Sequence, residues 1–177
     1  MRDAEIEALV TDYASPLMKA AGLRKGAVAF KIVHDSSFNA FVSGRGMFIN
    51  TGLLLQAEDP GEVIGVVAHE LGHIVGGHQI RIRERIETAT RIARLTSLLG
   101  IGIGAAGAIA GQSGVGSAGF GLAASSGSFA LRDILRYKRT EESAADRTAV
   151  KLLKNTGQSG KGMLETFRRL SRNSSVL

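Results

Sequence analysis

Along the first stretch, Ile6, Leu9, Val10, Tyr13, Leu17 and Ala20 fall on one helical stripe. This spacing predicts a helix over 3–21, stopped by Gly22, with Pro16 expected to kink or divide it. Residues 27–33 (AVAFKIV) are compact, rich in β-branched side chains and bounded by turn formers, so they read as a strand. Two shorter runs, 38–43 and 47–50, flank Gly44-Arg45-Gly46, which reads as a hairpin loop. A small antiparallel sheet of about three strands is the expectation for this part of the chain.

The helix that follows is the best marked. Asp59 can cap it, Pro60 suits its first turn, and Glu62 completes a D-x-x-E capping box. Val63, Ile64, Val66, Val67, Ala68, Leu71, Ile74 and Val75 leave almost no polar face, so the helix is expected to be buried, ending at Gly76-Gly77. Residues 79–95 then alternate arginines with an apolar stripe (Ile82, Ile86, Ala89, Leu95), as an amphipathic helix does. From Leu95 to Leu131 there are 37 consecutive uncharged residues, 10 of them glycine. Helical patterns resume over 131–155 and 160–172, broken between Asn155 and Gly160.

Composition narrows the chemistry. At 177 residues the chain suits one domain over 1–177, with 95–131 as a Gly-rich insert. It has no cysteine, so thiolate metal sites and disulfides are excluded and any metal must be held by His, Asp or Glu. The net charge of +6 favours acidic partners only weakly. Nucleic acid is not an expected partner, because no aromatic residues interleave with the arginine-rich helix. The opening MRDAEIEALV carries acidic residues where a signal peptide needs a basic start and an apolar core. The expectation is a cytosolic chain or one without its leader.

His69-Glu70-Leu71-Gly72-His73 is H-E-x-x-H, and it falls inside a helix already marked by other signals. Residues four apart share a helix face, so both imidazoles can reach one ion, as zinc with its nitrogen ligands requires. Glu70 sits beside the pair, where its carboxylate can take a proton from the attacking water. A catalytic zinc needs a third protein ligand and one open position. His78 comes one residue too early for the H-E-x-x-H-x-x-G-x-x-H spacing and points off the ligand face of a continuing helix. Glu142 and Asp146, four apart on a helix with small residues Ala144, Ala145 and Ala149, are the better source. One carboxylate could bind the metal while the other accepts a hydrogen bond from a ligand histidine.

Three blocks in order then resemble the zinc metallopeptidase family that includes HtpX, BepA and the CaaX prenyl endopeptidases. They are Asn39-Ala40-Phe41 with Asn50-Thr51-Gly52-Leu53-Leu54, then His69 to His73, then the E-x-x-A-D element Glu142 to Asp146. The resemblance covers about residues 36–150. It implies an α+β, zincin-like fold, mainly helical, with the small antiparallel sheet beside the metal helix. It implies one zinc ion per chain held by His69, His73 and Glu142, with Glu70 as catalytic base and Asp146 behind the ligands. It further implies that the strand at Asn39, Ala40 and Phe41 pairs with an extended polypeptide substrate. The setting implied is the bacterial periplasm or envelope, and the substrates misfolded or membrane-associated proteins. The sequence departs from the family in having no histidine after Glu142, so Tyr137 and Arg147 are the candidate oxyanion donors.

The expected function is therefore a zinc-dependent endopeptidase serving envelope protein quality control. The alternatives are a zinc-bound chaperone or binding module that cleaves little, and a closed structural site with His78 as a fourth ligand. The uncharged stretch cannot cross a bilayer once without separating the ligands, and 37 residues are too few for two crossings of about 20 each. The favoured expectation is a soluble Gly-rich segment, either a flap over the cleft or a helical hairpin of the core, with a shallow membrane contact through 95–131 as the alternative.

Overall fold

The computed structural model describes residues 4–174. They form α1 (Ala4–Ala20), β1 (Ala29–Val33), β2 (Ala40–Ser43), β3 (Gly46–Asn50), α2 (Thr51–Gln56), α3 (Pro60–Gly76), α4 (His78–Ile109), α5 (Ser113–Asn155) and α6 (Lys161–Ser174). These pack as two compact units. The first holds the described residues up to Gln79 and from Glu141 onward; the second is Ile80–Thr140.

The first unit is built on a single core. Val10, Ala14 and Leu17 of α1, Met47 and Ile49 of β3, Leu53 of α2, Val67, Ala68 and Leu71 of α3, and Ala149 and Leu153 of α5 are almost wholly enclosed. α1 runs through Pro16 as one helix. The sheet is mixed rather than antiparallel. β2 and β3 make the expected antiparallel hairpin around Gly44, but β3 lies between β1 and β2 and runs parallel to β1. The chain leaving β1 passes over the slot that β3 later fills, an ordering that local alternation does not encode.

That crossing is pinned by Asn50-Thr51-Gly52. The buried Asn50 side chain donates to the Ser37 hydroxyl at 2.7 Å, the Thr51 hydroxyl donates to the Asp35 carbonyl at 2.9 Å, and the Gly52 N–H reaches the same carbonyl at 2.8 Å. A Cβ on Gly52 would stand 2.2 Å from the Ser36 carbonyl oxygen, so only glycine admits the loop here. The loop in turn delivers Phe38 and Asn39 to the start of β2.

α3 begins as its sequence predicts. Asp59 is extended and its carboxylate accepts from the Gly61 N–H, while Gly77, at φ 63°, closes the far end. Glu62 departs from the capping-box expectation. It is buried, and its carboxylate faces Arg169 of α6 at 3.4 Å. The same guanidinium donates to the Gln56 carbonyl and to Glu58, tying α6 to α2 and α3. α6 lies against α3 so closely that a Cβ on Gly65 would fall 2.7 Å from the Met163 backbone.

In the second unit, α4 runs on far beyond the amphipathic segment expected over 79–95, and α5 begins at Ser113 rather than near 131. The uncharged stretch is thus a helical hairpin turning at Gly111, φ 70°. The two helices are joined at their foot by Arg85–Asp133 at 2.7 Å and by Arg85 stacked 4.3 Å above the Tyr137 ring.

Candidate active site

α3 and the returning turn of α5 build the site within the first unit. Gly72 of α3 lies against Ala145 of α5, where an added Cβ would stand 2.6 Å from the Ala145 carbonyl oxygen. Small residues at this crossing let the two backbones approach, which brings His69 and His73 within reach of residues some 70 positions later. His69 Nε2 and His73 Nε2 are 3.0 Å apart, and Glu142 Oε2 lies 3.3 Å from the first and 3.4 Å from the second. Ligands at about 2.0–2.1 Å around a tetrahedral ion stand about 3.3 Å from one another. The three atoms therefore already have the separations of three corners of such a site, and together they could hold a metal ion. The histidine side chains are 14–16% exposed and that of Glu142 is 54% exposed, which leaves a side of the cluster open.

Each histidine is oriented from behind. His69 Nδ1 is 2.9 Å from Asp146 Oδ1, one helical turn beyond Glu142. His73 Nδ1 is 2.9 Å from His78 Nδ1, whose Nε2 lies 2.8 Å from Glu141 Oε2. A surface or supporting place was open to His78 from the sequence, but Glu141 as the partner that holds it under His73 was not anticipated. Gly76-Gly77 breaks the helix direction after α3 and lets the His78 ring swing back under His73, its Nε2 2.0 Å from where a Cβ on Gly76 would be.

Burial is the main cause that pushes the Glu70 carboxyl up to about 7, with the Glu142 charge adding to it and a hydrogen bond from the Val42 N–H opposing it. Burial likewise holds His73 below its ordinary value; Glu142 draws it back up, while His69 and His78 press it down. A neutral imidazole is the form that ligates metal.

His69, Glu70, Glu142 and Asp146 line one cleft of about 330 Å³, whose opposite wall is Phe38, Asn39 and the α6 residues Thr166 and Phe167. The α6 wall is a second feature the sequence did not reveal. Of the substrate-strand candidates, Asn39 borders the cleft, Ala40 is buried, and Phe41 is exposed and stacked on Phe48 at 5.1 Å. β2 is an edge strand. On it, the Val42 N–H faces Glu70 and the Val42 carbonyl accepts from Gln79. Of the two oxyanion candidates, the Tyr137 hydroxyl accepts from Arg81 at 3.2 Å within the second unit, and Arg147 is exposed on α5.

A mainly helical α+β fold with a small sheet, and two helical histidines meeting a glutamate beside a cleft, define a metallopeptidase. The model of Peptidase family M48 matches residues 1–174, and the chain belongs to this family. It is 27% identical over 97% of its length to a protein of Vibrio cholerae described as a beta-barrel assembly-enhancing protease, covering 34% of that protein. It is 32% identical over 81% of its length to the metalloprotease YcaL of Escherichia coli, covering 51% of it. The chain thus spans about a third to a half of the curated relatives it matches.

Proposed function

We propose that the chain is a zinc-dependent endopeptidase in which His69, His73 and Glu142 hold one zinc ion and Glu70 is the catalytic base. The observation that carries this reading is the convergence of two Nε2 atoms and one carboxylate oxygen at tetrahedral spacing, in the same cleft as Glu70. When bound, zinc supplies Lewis acidity to the scissile carbonyl and to water. Glu70 takes the proton from the attacking water and delivers it to the leaving amine nitrogen. The Val42 N–H steadies the Glu70 carboxylate in the position that proton transfer needs. Asp146 accepts from His69 Nδ1 and so keeps Nε2 free for the ion.

The free edge of β2 supports an extended polypeptide substrate added as a further strand. Since Gln79 already occupies the Val42 carbonyl, the segment Asn39–Ala40–Phe41 is the part of that edge offered to a substrate. The likeness to the Vibrio cholerae protein supports a setting in the bacterial envelope and a part in quality control of misfolded or membrane-associated proteins.

The deciding experiment is Glu70→Gln, with metal content and casein cleavage measured on the same preparation. The expected result is a zinc content near that of the parent with nearly all cleavage lost. Undiminished cleavage would sink the mechanism. If neither parent nor variant cleaves while both hold zinc, a zinc-bound chaperone or binding module takes its place.

A further inference from the structure

The helical hairpin of the second unit is packed inside out. Its seam is glycine: a Cβ on Gly119 would fall 2.4 Å from the Gly104 nitrogen, one on Gly107 2.7 Å from the Gly116 nitrogen, and one on Gly100 2.7 Å from the Gly119 oxygen. Backbone therefore meets backbone along the contact. The large aliphatic side chains of the same helices point away from it. Leu98, Leu99 and Ile109 are 67%, 65% and 88% exposed, and Ile101, Ile103, Val115 and Leu131 are also exposed. In water this arrangement gives up the burial that normally holds two helices together, and leaves a contiguous apolar surface bare. In lipid the preference reverses. Tails solvate Leu and Ile outside, and small residues let the helices approach.

Two further observations identify the partner. Four N–H groups around the turn, those of Ala110, Gly111, Gln112 and Gly116, donate to carbonyls of the hairpin. That satisfaction is what a hydrocarbon environment demands. The charge is placed to match. Residues 80–140 hold nine Lys or Arg against three Asp or Glu, so the chain's whole excess of +6 sits in this unit. None of it lies between Leu95 and Leu131; Arg91 and Arg94 precede the apolar part of α4, and Arg132 and Arg136 follow that of α5. An apolar tip above an arginine foot is complementary to an anionic lipid leaflet.

We propose that 95–131 is a re-entrant hairpin that enters one leaflet of an anionic bilayer without crossing it, with the foot arginines at the headgroups. Length excludes a crossing: α4 from 95 to its end at Ile109 has 15 residues, about 22 Å of helix, against a hydrocarbon core of about 30 Å. α4 as a whole is long and apolar enough to span by length and composition, but its first half carries four arginines and Arg94 follows directly.

The test uses the full chain and no activity readout, so it stands or falls separately from the peptidase reading. The chain has no tryptophan, so Ile109→Trp places a single indole at the tip. Vesicles of mixed phosphatidylglycerol and phosphatidylcholine should shift its emission to the blue, and lipids brominated on the acyl chains should quench it. Flotation with these vesicles should fall by about two orders of magnitude or more in the R91Q/R94Q/R132Q/R136Q variant. It should be lost in L98S/L99S/I109S, with helix content by circular dichroism showing that each variant folds. An indole that stays accessible to aqueous iodide in the presence of anionic vesicles overturns the proposal. So does a blue-shifted indole without lipid in a species of twice the chain mass, which would assign the surface to a second copy.

Discussion

His78 sets its Nδ1 2.9 Å from the Nδ1 of His73, five residues earlier on the other side of a glycine break. Two ring nitrogens bond only when one carries a proton and the other does not. Glu141, 2.8 Å from His78 Nε2, holds the proton at that end, which leaves His78 Nδ1 as acceptor and His73 Nδ1 as donor. The lone pair of His73 Nε2 then faces His69 and Glu142. His78→Ala should weaken metal binding by about 10–100-fold in a chelator competition. His78→Asn, which offers a carbonyl to His73 and an amide N–H to Glu141, should recover part of the loss. Equal affinity in parent and His78→Ala would show the ring to be packing only.

Glu142 and Asp146 should separate by the same assay. Glu142→Ala removes one of the three converging donors, so zinc per chain by mass spectrometry should fall far below one. Asp146→Ala leaves all three and should only weaken affinity, by about 10–100-fold. A reversed order would mean that Asp146 is the ligand and Glu142 the support.

Gly72 controls the distance between the two helices that share the site. Gly72→Ala would place a Cβ 2.6 Å from the Ala145 oxygen and 2.9 Å from its Cα, so α3 and α5 must part. Overpacking of this kind costs about 1–3 kcal/mol, and metal affinity should fall with it because Glu142 moves away from the histidines. Gly121→Ala, with open space around the added Cβ, should be neutral or stabilising by up to about 1 kcal/mol. Urea unfolding of both variants checks this; a Gly72→Ala midpoint equal to the parent's would refute the close crossing.

The metal-free protein should lose stability as pH rises past neutrality. The Glu70 carboxyl is raised to about 7 in the fold from an ordinary value of 4.5. Its contribution is fully present below the unfolded value and is lost as pH climbs through the folded one. His73 is shifted the other way, down from 6.5, and so acts mainly below that value. Between pH 6.5 and 8 the Glu70 loss, on the order of 1 kcal/mol, exceeds the smaller gain from His73 as the unfolded chain sheds its proton, so stability should fall. Glu70→Gln should flatten the dependence. A stability that rises over this window in the parent would contradict the burial of Glu70.

The elements read most surely from sequence are those whose signals are local. The metal helix carries its cap at Asp59 and its stop at Gly77, and the four-residue spacing of His69 and His73 fixes one shared face whatever surrounds it. The β2–β3 hairpin is likewise set by Gly44, which takes the positive φ of the turn. Even the pairing of Glu142 with Asp146 at helical spacing could be seen before either had a partner.

Tertiary structure decided what those local signals could not. The position of β3 between β1 and β2, the turn of Glu62 toward Arg169 in place of a capping box, and the α6 wall of the cleft all join segments far apart in the chain. The sequence left the uncharged stretch open between a flap and a helical hairpin because glycine opposes helix in isolation. Packed backbone to backbone, the same glycines hold two helices together. His69 meets Asp146 across 77 residues, a contact that exists only because Gly72 and Ala145 are small enough for their helices to touch. Residue spacing along a helix follows from its pitch, whereas contact between helices follows from how closely their surfaces can approach, and that is a property of the assembled fold.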